Sequence, residues 1–455
     1  MRLDRLHWSS WHTRLILALS VTWLLDGLGG SLGGSLSGTL KLNVGLSFSN
    51  AQLGISSSFY LVGAVCGALI FGYLADSFGR RRLFFWTLLL YLCATAATGL
   101  AHGLWSFTTC RVLTGAGIGG EYAAINSAVD ELIPARLRGR VDLWINATFW
   151  LGIILGSGVS LLFLSPAVFG EALGWRMAFC SGLPIGLFVL FLRRHIPESP
   201  RWLLTHGHLL EAEAVIAKIE ERQFAREPSS TTVEIEISTR SSFVEIAKTV
   251  TGRYRMRSVI CFVLMAAQAF FYNSVFFSLA LVLLQFYGVP SSKVGALFIP
   301  IAVTNFLGPA LLGPLFDTVG RRQMICATYC LSGLSLFASS LLFFQGRLTL
   351  TAQVVWWSAT FFFASTAASS AYLTVSEVFP QQIRASAIAI FYAFGTLAGG
   401  VFGPVIFSHL TSATSRAPLL AGYSAGASVM IGAGLVQAVW GVTAERRSLE
   451  DLRVP

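Results

Sequence analysis

Charge is scarce in this chain. Asp, Glu, Lys and Arg make up 12% of its 455 residues, against roughly 25% in a soluble domain. With 54% apolar residues there is too little polar surface to cover a water-soluble globule, so the solvent for most of the chain is lipid. Cysteine is sparse as well. The seven (Cys66, Cys93, Cys110, Cys180, Cys261, Cys326 and Cys330) all fall inside apolar stretches, which gives no disulfide framework. Cys326 and Cys330 stand one helical turn apart but have no His or acid nearby, so neither a metal nor a cofactor is expected. A nucleophile–base pair, a metal-ligand cluster, a phosphate-binding loop and an appended soluble domain are all missing, which argues against an enzyme. No basic patch is interleaved with aromatics, so nucleic acid is not a partner. The net charge of +10 reports membrane topology and anionic headgroups instead.

What the chain has is long apolar runs. Stretches able to span a bilayer run over 14–38, 52–75, 83–101, 105–129, 141–164 and 174–193, and after a polar gap over 258–285, 293–316, 324–344, 353–376, 385–408 and 419–441. This predicts an all-α membrane protein with twelve transmembrane helices, six on each side of the gap.

The halves repeat. Gly72, Asp76, Gly79 and Arg80 recur as Gly313, Asp317, Gly320 and Arg321, each 241 residues on. Glu131, Pro134 and Arg138 recur with the same internal spacing as Glu377, Pro380 and Arg384. A chain that repeats its charged loops in order is two copies of one unit, and parallel repeats within apolar spans are a transporter architecture. The spacing resembles the loop signature of the major facilitator superfamily over nearly the whole chain. That resemblance implies two six-helix bundles: 1–205, a cytoplasmic linker over 206–254, and 255–455 with a short tail.

Orientation follows the basic residues. With both termini cytoplasmic, all of the 32 Lys and Arg except Lys41, Arg111, Arg176, Lys293, Arg347 and Arg416 fall on the cytoplasmic side. The basic start followed by an apolar run reads as a retained first span, because the run is long, holds Asp26 and lacks a small-residue cleavage site. In the linker, Glu211 to Phe224 alternates apolar and charged residues at helical spacing, which predicts an amphipathic helix at the membrane surface.

The repeated loops read as a cytoplasmic latch that holds one conformation. Its expected members are Gly72, Asp76, Gly79, Arg80, Glu131, Arg138, Asp317, Gly320, Arg321, Glu377 and Arg384. Glu198 and Arg201 join them, in a run Pro197-Glu198-Ser199-Pro200-Arg201-Trp202 that resembles the sugar-porter branch. The plainer reading of such loops is a set of positive anchors at the interface; duplication at matched positions favours the latch.

Ionisable residues at membrane depth cost about 2.5–3.5 kcal/mol each on insertion scales and mark function. Three qualify: Asp26 in the first span, and Arg111 and Glu121 in the fourth. Arg111 followed by Gly115, Gly117, Gly119 and Gly120 resembles the superfamily's fourth-helix motif. A buried guanidinium needs an acid, and Asp26 is the expected partner in a proton relay, with Glu121 as a second carrier; a fixed structural pair is the alternative. The last six spans hold no charge deep in their interiors.

Gln268 and Asn273, with Tyr272 between them, stand at a spacing that sugar porters use to bond sugar hydroxyls. Asn273 joins the face of Gln268 and Tyr272 only if the helix is locally broken. Asn305 and Tyr372 complete the expected substrate set; bonds between neighbouring helices are the plainer role for such amides. Tyr372 stands where sugar porters usually have tryptophan, the fifth span has Asn146 but no obvious glutamine beyond it, and Gly120-Glu121-Tyr122 looks more like phosphate and organic-acid symporters. The expectation is a monomeric secondary transporter, multi-pass in the plasma membrane (the bacterial inner membrane), moving a small polar metabolite by proton-coupled symport. Sugar or polyol stands narrowly ahead of organic acid. An uncoupled facilitator or exporter is the alternative, and a receptor or enzyme a distant third.

Overall fold

A computed structural model of the chain describes residues 8–41, 46–133, 137–193, 198, 200–205, 207–220, 248–379, 383–412 and 415–442. Among these residues helix is the only regular structure. Twelve membrane-long segments are present, in the expected order: Ser10–Ser35, Asn50–Phe78, Arg80–Gly99, Leu104–Leu132, Arg138–Leu164 and Gly170–Cys180 continuing as Gly182–Arg193, then Arg255–Phe286, Ser291–Thr318, Arg321–Phe344, Leu350–Val378, Arg384–Gly399 continuing as Gly403–Ser412, and Ala417–Trp440. They are called the first to twelfth spans below. Ten are long and apolar enough to cross a membrane by length and composition. The fourth and tenth are 29 residues each; one carries Arg111 and Glu121, the other a run of Ser and Thr.

Helix ends are set by local chemistry. Ser49 opens the second span by accepting from Gln52 N at 3.2 Å, while its own N–H donates to Gln52 Oε1 at 2.8 Å, a reciprocal cap. Gly79 and Gly320 turn the chain into the third and ninth spans at φ 85° and 123°, a region that side chains with a Cβ rarely enter. Two basic residues that break the charge asymmetry have a structural role. Arg176 donates to the carbonyls of Gly99 and Ala101 at 2.8 and 2.9 Å beyond the third span. Arg416, at the matching place in the second half, donates to Phe343 O at 2.9 Å at the end of the ninth. Both satisfy carbonyls that a helix C-terminus leaves open.

Backbone contact between spans is bought with glycine. Gly115 and Gly119 face the carbonyls of Tyr60 and Ala64, and Gly63 and Gly67 face Val112 and Ala116. A Cβ at any of the four would strike the opposite backbone, so the second and fourth spans lie as close as helices can. The first and fifth spans meet the same way through Gly27 and Gly152. Across the halves, the fifth span packs on the eighth and the second on the eleventh.

Besides the sixth span, broken at Ser181, two regions depart from continuous helix. The seventh span passes through a π turn at Phe271–Phe276. The eleventh breaks after Gly399, where the N–H groups of both Gly400 and Val401 bond Thr396 O. The linker helix expected over Glu211–Phe224 is described as Leu209–Glu220; residues 221–247 lie outside the described residues.

Candidate functional site

Of the two repeated loops, the second copy is the better defined. Arg321 opens the ninth span and is 2% exposed. It meets Asp317 Oδ1 at 2.8 Å and grips Glu377 with two parallel bonds of 3.1 Å. Two carboxylates on one guanidinium leave a net negative charge. The other oxygen of Asp317 accepts the backbone N–H of Arg140 at 3.2 Å, in the first turn of the fifth span, whose N-terminus carries about half a positive charge. This ties the second half to the first. A Cβ on Gly139 would fall 2.7 Å from both terminal nitrogens of Arg321, so the contact requires glycine there. In the first copy, Glu198 Oε2 accepts Arg81 N–H at 3.1 Å and lies against Gly79, and Gly72 is buried. The side chains of Asp76, Arg80, Glu131, Arg138, Arg201 and Arg384 lie outside the described residues.

The opposite membrane face is also closed. Ser58 of the second span donates to Val401 O, in the break of the eleventh, at 2.7 Å. A Cβ on Gly295 of the eighth span would be 3.7–3.8 Å from Ser157 and Leu161 of the fifth. The halves therefore meet at both ends.

Between these closures lie the buried charges. Asp26 and Glu121 are 0% exposed and Arg111 is 5%. Thr87 of the third span lies 3.5 Å from Glu121 Oε1. Asp26 acts electrostatically on Tyr60, Tyr91, Tyr122 and Tyr392, while the Tyr91 hydroxyl donates to Leu25 O at 2.7 Å. Acid, cation and tyrosines thus share one neighbourhood.

The expected Asp26–Arg111 ion pair is not formed in this conformation: among the described residues no acid lies within 4.0 Å of the guanidinium. Arg111 instead sits over the Tyr60 ring at 4.4 Å, with Phe179 at 6.0 Å, and a Cβ on Gly33 would be 3.1 Å from Nη2. Gly33 lies two turns beyond Asp26, so the arginine is turned along the first span away from the acid. Its Nη1 is buried and has no hydrogen-bond partner.

The amides of the second half are occupied by their own half. Tyr272 donates to Asn305 Oδ1 at 2.8 Å, and Asn305 Nδ2 donates to Ile301 O at 2.7 Å. Gln268 Nε2 faces Met265 Sδ at 3.9 Å. The π turn supplies the local break that Asn273 needs, yet its amide donates to Ala269 O at 2.9 Å and lies against Gly400 of the eleventh span. Tyr272 and Asn305 are brought together, and Tyr372 meets Tyr122 and Tyr392 instead; Asn273 is directed elsewhere.

Sequence reasoning missed Tyr60, Ser58 and Gly139. Only Gly139 left a signal, since glycine in a helical turn costs about 1 kcal/mol against alanine and persists for a reason.

Two repeated six-span halves, closed on each other at both ends around buried ionisable groups, define a membrane transporter. The sugar (and other) transporter family model matches residues 25–443, and the chain belongs to that family. It is 28% identical over 411 residues to the niacin transporter NiaP of Acinetobacter baylyi, covering 90% of this chain and 89% of that protein. It is 26% identical over 396 residues to the probable plastidic glucose transporter 3 of Arabidopsis thaliana, covering 84% and 77%. Its fold is similar to that of the proton:xylose symporter XylE bound to 6-bromo-6-deoxy-D-glucose, with TM-score 0.79 at 21% identity over 97% of this chain and 98% of that one.

Proposed function

We propose that the chain is a proton-coupled symporter of small organic acids in the bacterial inner membrane, with both termini and the linker cytoplasmic. In this reading the Asp317–Arg321–Glu377 latch opens and closes the cytoplasmic side, and Asp26 and Glu121 carry the coupled proton.

One observation carries the choice of solute. Arg111 is buried with Nη1 unpartnered, and its neighbours are rings. A desolvated cation–π contact supplies about 2 kcal/mol, less than the several kcal/mol that an ion loses on leaving water. The cation therefore still lacks an anion, and a solute carboxylate fills that need with charge-assisted bonds. A sugar would instead need free amides, and those of Asn273 and Asn305 are bonded within their own half. This reverses the order expected from sequence. The niacin transporter among the relatives supports an acid; the glucose transporter supports the order it replaces.

The test is uptake into proteoliposomes with an imposed inward proton gradient, from a panel of labelled carboxylates and sugars. Gradient-driven accumulation of a carboxylate, abolished by a protonophore, is expected. Accumulation of a sugar with no competition from any carboxylate would contradict the reading. Orientation is checked with single cysteines at Ser229 and Ser415 in a cysteine-free background; an impermeant reagent labels only Ser415→Cys in intact cells.

A further inference from the structure

Inside the membrane, rings of the two halves meet at two places. Tyr122 of the fourth span lies 4.9 Å from Tyr392 and 6.1 Å from Tyr372, both of the second half, and is backed at 4.6 Å by Trp23. Midway along the fifth span, Trp150 lies 5.4 Å from Tyr272 and 5.6 Å from Phe276 in the π turn. Tyr272 uses its hydroxyl within the second half, donating to Asn305. What meets across the interface at both places is ring against ring.

Carriers built of repeats hold their solute near the midplane between the repeats. When the halves part on one side, Tyr122 separates from Tyr372 and Tyr392, or Trp150 from Tyr272 and Phe276. Each exposed ring loses a tilted or edge-to-face neighbour. A saturated or hydroxylated solute replaces only the contact area and leaves its own hydroxyls unpaired. A flat π-system replaces both the area and the ring–ring geometry.

We propose that the solute carries a planar aromatic ring, held between Tyr122 and Trp150 of the first half and Tyr272, Tyr372 and Tyr392 of the second. This rests on the organic-acid reading for its carboxylate and on the rings for its aromatic body. The two parts separate experimentally.

Binding to the full-length protein is measured by quenching of tryptophan fluorescence or by competition, using benzoate, cyclohexanecarboxylate, benzamide and glucose. Benzoate and cyclohexanecarboxylate share charge and carbon count and differ in flatness and π character. Benzoate is expected to bind about tenfold more tightly, the effect of one or two good ring contacts. Tyr122→Leu and Trp150→Leu should each reduce that ratio to about threefold or less, and Trp150→Phe should keep it. Equal affinity for the two acids overturns the proposal, because the site would then read only charge and size. Binding of benzamide without benzoate upholds the ring and removes the acid reading. Binding of glucose with none of the ring compounds sinks both.

Discussion

The halves repeat one fold but divide the chemistry between them. The second half holds one large apolar core running from Val250 to Ala433, which also takes in Leu143 of the fifth span. The first half has its apolar residues in separate clusters: one around Leu19, Trp23 and Ile145, one around Leu25, Leu88 and Ile118, and one around Leu32, Phe107 and Trp175. Asp26, Arg111 and Glu121 lie among these. A continuous core moves as one body, because close packing leaves it few intermediate arrangements. A layered core with buried ions has groups whose pairing can change. On this comparison the proposed coupling belongs to the first half, with the second half as its rigid partner.

The largest effect should come from Arg111. Arg111→Gln removes the one buried cation among the described residues of the first half, and loss of a buried charged partner is worth about 3–5 kcal/mol, so carboxylate affinity should fall more than about 100-fold. Arg111→Lys keeps the charge but loses the planar stack on Tyr60 and should recover only part of it. Wild-type affinity in the glutamine variant would show that the solute never meets this arginine.

A smaller effect is expected at the latch. Gly139→Leu drives a side chain into Arg321 and should slow transport about tenfold while leaving solute binding in place. Gly158→Leu, where a Cβ meets nothing within 4 Å, is the control. Unchanged turnover in the Gly139 variant would mean that the Asp317–Arg321–Glu377 cluster is a static anchor.

The smallest effect should come from the second-half amides. Asn305→Ala removes internal bonds worth about 0.5–1.5 kcal/mol each, Gln268→Ala removes only a contact to Met265, and Asn273→Ala should leave affinity unchanged. A loss in any of the three as large as that of Arg111→Gln would reverse the comparison and restore a sugar-like site.

Much of this was legible in the sequence, for identifiable reasons. Twelve apolar runs and a loop repeated at 241 residues leave few alternatives, because lipid forces each run into a helix. Gly115 and Gly119 announced close packing by spacing alone, and Asp26, Arg111 and Glu121 stood out because charge is so rare at their depth. Side-chain direction was not legible. Arg111 has several rotatable bonds and reached Tyr60 instead of Asp26, and Asn273 was turned by a π turn that no residue pattern announces. Contacts between halves, such as Ser58 to Val401, join residues 343 positions apart, and nothing local encodes them.

The claim that the first half carries the coupled proton is tested most directly by paired assays of Asp26→Asn and Glu121→Gln in proteoliposomes. One assay measures accumulation of a carboxylate under an imposed proton gradient; the other measures its exchange at equal concentrations and no gradient. Asp26→Asn fixes the neutral form, so it should abolish accumulation and leave exchange measurable, with Glu121→Gln milder. Should Glu121→Gln alone abolish accumulation, the carrier moves to Glu121 within the same half. If both variants, singly and together, still concentrate solute in response to the gradient, the first half is not the coupling half and the account is wrong.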